Sequence, residues 1–132
     1  MSLQYFIVNV FASGPFGSNP AAVMFVEDLL DLDVTQKISA NFNQPMTAFL
    51  CLRNNSVSES ASTSLAYDVR WFTSSVEVPI CGHATLASAG LLFAEPDVLP
   101  ETVTSISFCG QSGVTLVARK EGEWISILIR ER

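Results

Sequence analysis

The chain has 132 residues, of which 48% are hydrophobic and only 15% charged, and its formal net charge is −6. That length fits one domain, 1–132, able to bury about 68% of its unfolded surface. The seven basic residues are scattered rather than gathered in a stripe. This excludes a nucleic-acid-binding face and argues against docking on an anionic membrane.

Charge content lies well below the usual figure of about 25%. Some apolar surface is therefore expected to be covered by a partner, with a second copy the simplest choice. Cys51, Cys81 and Cys109 form an odd set without close pairing, and the nearest ligand types, Cys81 and His83, have nothing to complete a zinc site. A reduced, intracellular, cytoplasmic protein without metal is expected. Met1 to Phe11 lacks a basic start and reads as a strand rather than a signal peptide. No run approaches 18 apolar residues, so no membrane span is expected.

In chain order, Tyr5 to Phe11 is aromatic and β-branched, a strand expected to be buried on both faces. Ser13 to Pro20 is turn-rich, and Ala22 to Val26 returns as a strand. A helix follows, with Asp33 as its cap, Gln36 completing a capping box, and Val34, Ile38 and Phe42 on one apolar face. It should stop before Pro45. Thr47 to Leu52 is a strand, with Cys51 and the later Cys109 expected in the core, and Asn54 to Ser64 a polar loop. Tyr67 to Phe72 alternates as a half-buried strand, and Val76 to Ile80 follows a turn. A second helix, from about His83 to Phe93, is apolar nearly all round and belongs inside something. Thr102 to Cys109, Val114 to Arg119 and Trp124 to Ile129 complete eight strands and two helices. The order argues for an α+β fold, a curved, mostly antiparallel, barrel-like sheet around the second helix.

The segment from Glu77 to Ala87 (EVPICGHATLA) is the richest in chemistry and holds the only histidine. A strand ending in Pro-Ile-Cys-Gly leaves backbone N–H groups free where the helix starts, an anion pocket reinforced by the helix dipole. His83 at its rim is placed to hold or move a proton, the alternative being a capping or buried imidazole. Gly82, with the amides of His83 and Ala84, would bind a carboxylate, unless Gly82 is simply a turn residue. Cys81 is either a thiol of lowered pKa acting as nucleophile or proton carrier, or a packing residue. Glu77 is expected in solvent or a salt bridge rather than as a base.

Three stretches together resemble one family: Val10 to Val23 (VFASGPFGSNPAAV), Thr47 to Leu50 (TAFL), and Arg70 to Thr73 (RWFT) with Glu77 to Ala87. They are similar to the phenazine-biosynthesis PhzF-like isomerases of the diaminopimelate-epimerase-like fold. The resemblance spans essentially all 132 residues. It implies an enzyme that shifts a proton on a small carboxylate-bearing metabolite without metal or organic cofactor. It also implies two barrel-like lobes with the active site between them, each central helix presenting its N-terminus to the cleft. Here one lobe, the N-terminal, is represented. The resemblance further places Asn19, Met46 and Thr47 at the cleft. It puts a catalytic glutamate immediately before the threonine of the second motif, where this chain has Met46, and a thioether cannot carry a proton. Two readings follow. In one, two copies pair as a homodimer and enclose the site, with His83 or Cys81 moving the proton. In the other, the chain is a non-catalytic or partner-dependent lobe that binds a small acid or a separate second lobe.

Overall fold

A computed structural model describes residues 4–10, 19–28, 31–53, 64–94, 103–122 and 124–131. The elements are β1 (Gln4–Val10), β2 (Asn19–Phe25), α1 (Leu32–Phe42), β3 (Met46–Leu52), β4 (Ser64–Phe72), β5 (Glu77–Val78), α2 (Gly82–Ala94), β6 (Ser105–Gly110), β7 (Val114–Glu121) and β8 (Trp124–Glu131). Seven strands form one sheet in the order β1-β2-β3-β4-β6-β7-β8, and β5 pairs with β4 off that path. The β2–β3 and β4–β6 pairs are parallel and the others antiparallel, so the expected α+β fold holds with a mixed sheet.

The sheet curls around α2, which packs against β1, β2, β3, β7 and β8. Small residues let helix and strands approach closely: Ala84, Ala87 and Ala89 meet Ala21 and Ala48 in a core with Leu50, Trp71, Leu92, Ile106, Phe108 and Leu116. Polar side chains on this buried helix satisfy themselves locally. Ser88 Oγ donates to Ala84 O at 2.8 Å, and Thr85 Oγ1 donates to Cys81 O at 2.8 Å.

On the outer face, α1 covers a smaller cluster of Met24, Val26, Phe49 and Phe72, with Ile38 and Phe42 packed against it. Its N-cap is Asp31, not Asp33, and no side-chain capping bond forms. Gln36 does not complete a capping box; its Nε2 donates to Thr73 O at 3.2 Å. Val34 is exposed, and the fully buried positions are Thr35 and Ser39, whose hydroxyls bond back to carbonyls one turn earlier. The helix ends at Asn43, with φ of 50°, before Pro45 as expected.

Three further expectations are corrected. β1 is an edge strand with Tyr5 and Ile7 exposed, because among the described residues only β2 pairs with it. β4 is buried on both faces from Val69 to Phe72, because it lies mid-sheet with α2 on one side and α1 on the other. Cys51 and Cys109 are only partly buried, since their strand faces turn away from α2. Asn19 and Pro20 belong to β2; the expected loops over 13–18 and 54–63 lie outside the described residues.

The helix is tied to the sheet by one buried bond: Trp71 Nε1 donates to Thr85 Oγ1 at 3.0 Å. Gly110 makes room for the same indole, since a Cβ there would lie 2.8 Å from the ring. Thr85→Val should therefore cost about 1–3 kcal/mol by orphaning a buried donor, measured by urea unfolding. Gly110→Ala should cost about 1–3 kcal/mol by overpacking, with an accompanying change in tryptophan emission.

Candidate active site

Strand registers bring the candidate residues to one end of the curled sheet. Ala21 faces Met46, Thr47 faces Phe72, Val69 faces Gly110, and Val114 faces Glu131. β2 and β3 therefore begin, and β4, β6 and β8 finish, at the same end. α2 starts there too, held by the Trp71–Thr85 bond and by Ser112 Oγ, which donates to Pro79 O at 3.3 Å. Asn19, at the first position of β2, shares this end through its pairing with Val10; its side chain lies outside the described residues.

Adjacent strand residues point to opposite faces. Met46 joins Ala48 and Leu50 in the core around α2 and, 9% exposed, lies in the same cluster as Ala84 and Cys81. Thr47 shares the face of its partner Phe72 under α1, and is fully buried. The end wall near α2 thus includes Met46 and excludes the Thr47 side chain.

Cys81 directly precedes α2, and its sulfur engages amides that were expected to line an anion pocket. Ala84 N donates to Sγ at 3.4 Å, and the His83 amide also bonds the sulfur. The first helical bond proper runs from Thr85 N to Cys81 O at 3.2 Å. The helix N-terminus thus addresses a thiol, as it would a serine or aspartate cap. Burial pushes the Cys81 thiol above its ordinary pKa, and the two amide bonds pull it down less strongly. The expectation of a lowered pKa is overturned, because desolvation outweighs the helix terminus here.

Gly82 is exposed, and a Cβ built on it would meet nothing within 4 Å. Its own fold leaves that space open. His83 is partly buried beside it, and Ala84 is fully buried. Glu77 is engaged with Arg70: Nε donates to Oε2 and Nη2 to Oε1, each at 2.8 Å. The guanidinium also lies 5.4 Å from the Phe72 ring centre. A cleft of about 370 Å³ runs over this pair, lined by Val69, Pro79, Gln111 and Ser112 among others. It lies beside the mouth of α2, where β5 takes over from β6 alongside β4. Among the described residues, no three metal-ligating side chains are placed to hold an ion, and no helix is long and apolar enough to cross a membrane.

A family model for phenazine biosynthesis-like proteins, PhzC-PhzF, matches residues 8–131. The chain belongs to this family. It is 41% identical over 125 residues to a bovine (Bos taurus) phenazine biosynthesis-like domain-containing protein, covering 95% of this chain and 41% of that one. An uncharacterized isomerase from Pseudomonas aeruginosa is 36% identical over 121 residues, covering 92% of this chain and 41% of that one. The crystal structure of a PhzF-family protein from Enterococcus faecalis superposes with a TM-score of 0.72 at 39% identity, covering 95% of this chain and 43% of that one. One from Clostridium difficile gives 0.75 at 35% identity, covering 94% and 42%. The chain therefore spans about two fifths of the length of these relatives.

Sequence reasoning missed Trp71 and Thr85 as the pair that seats the helix mouth, and Arg70 as the partner of Glu77. The available signal for the second was the tight turn at Thr73, whose Oγ1 accepts from Ser75 N and Val76 N and brings the flanking residues together.

Site-resolved alkylation of Cys81 across pH should show a midpoint above the ordinary thiol value of about 8.5. The same raised value stabilises the fold below that pH, and the contribution is lost as pH rises through the folded-state pKa. A midpoint below the ordinary value would mean that the helix terminus prevails over burial.

Proposed function

We propose that this chain supplies one wall of a PhzF-type isomerase site, in which a proton is moved on a small carboxylate-bearing metabolite. The observation that carries this reading is the gathering of Met46, Cys81, Gly82 and His83 at one end of the sheet, with open space over Gly82. The carboxylate would sit at Gly82, near the positive end of α2. His83 would take the proton, its imidazole being a group that can hold or move one at the rim. Cys81, held as a neutral thiol by burial, would be suited to return one. Glu77 is committed to Arg70 and does not replace the missing family glutamate.

The wall opposite would come from a second copy related by a two-fold axis, or from a second lobe of the kind the longer relatives have room for. Met46 favours a second reading, in which the chain binds a small acid without turning it over. A buried methionine stands where the resemblance implies a carboxylate.

Deuterium wash-in on a panel of small carboxylates separates the readings. Turnover should fall by about 10²–10⁴-fold in His83→Asn, the usual loss of a general acid or base. Light scattering should show a dimer at micromolar concentration. Exchange unaffected by His83→Asn would remove the proposed proton carrier, and a monomer active alone would remove the shared cleft. Under the second reading, wild type binds without exchange, and Met46→Glu gains it.

A further inference from the structure

We infer that the Arg70–Glu77 pair is a positioning device for the mouth of α2: it holds the short strand from which Cys81, Gly82 and His83 are suspended. The inference deepens the proposed function only in treating that mouth as a site; the contacts themselves stand apart from it.

β5 has two residues, pairs only with β4, and has two registered partners, Trp71 with Val78 and Phe72 with Glu77. Two rungs of ladder are a weak hold on a strand. The following Pro79 and Ile80 are exposed, so packing adds little before Cys81. Glu77 and Arg70 lie on one face as diagonal neighbours, because Phe72 is the direct partner of Glu77. Their side chains meet through two parallel bonds of 2.8 Å each, with Arg70 only 10% and Glu77 29% exposed. Taking two charges largely out of water offsets most of their mutual attraction, so such a pair adds little net stability. What the fork supplies is direction: a bidentate guanidinium–carboxylate contact fixes both planes at once. Ser112 Oγ on Pro79 O, at 3.3 Å, is a longer second tether on the same segment.

Arg70 and Glu77 are positioning residues on this view, and the Glu77→Gln full-length chain tests it by amide hydrogen exchange. The amides of Ala84 and Thr85, which bond to Cys81, should exchange roughly tenfold faster or more once the charged pair is broken. Those of Ala48 and Leu50 in β3 should change by less than about threefold. Unchanged exchange at Ala84 and Thr85, or equal acceleration in β3, would overturn the inference, the latter showing a merely structural pair. Should Glu77→Gln fail to fold, Arg70→Lys keeps the charge, loses the fork, and is read the same way. No substrate enters this measurement, so it can fail while the isomerase reading survives, and the reverse.

Discussion

The hydrogen bond from the Trp71 indole to Thr85 fixes where the central helix begins, and most of the candidate site follows from it. Thr85 Oγ1 accepts from the indole and donates to Cys81 O, so one hydroxyl joins β4 to the residue that caps α2. Gly110 holds back from the ring to let it lie there. A helix that is apolar nearly all round has little preferred rotation of its own; the Thr85 hydroxyl and the indole supply one.

The composition of α2 explains why such a pin is needed. Its alanines and Ser88 give the sheet little relief to grip, which suits close approach but permits sliding. The Cys81 sulfur then closes the exposed end by accepting two amides. The outcome is a helix terminus with its dipole largely spent on a neutral thiol, leaving Gly82 as the one bare position of the first turn.

Much of this fold was legible in the sequence. Strands came from β-branched and aromatic runs, and α2 from a stretch opened by Cys-Gly-His and apolar nearly all round, which announced an interior helix. The misreadings have physical causes. Val34 fitted a helical stripe, yet packing chose the Thr35–Ser39 side, because those hydroxyls can bond back to the helix and vanish into the interior. β1 looked doubly buried because its residues are mostly apolar, but a strand at the border of a sheet has fewer neighbours than its hydrophobicity suggests. Met46 and Thr47 were grouped by motif, whereas strand geometry sends neighbours to opposite sides. The thiol pKa was misjudged because a sequence displays the helix terminus and conceals the desolvation. The strand-to-helix segment that opens α2 was legible from its motif; the Arg70–Glu77 link was not, since it depends on a turn that brings the two charges onto one face.

The wrapping of α2 also carries a consequence for biosynthesis. β7 and β8 touch the helix and follow it in the chain, so they emerge from the ribosome after it. Until Val114 and the residues beyond it are made, one flank of this largely apolar helix lacks its β7–β8 cover. Nascent chains of this protein pass through an interval in which α2 has been made and the β7–β8 hairpin that covers its flank has not.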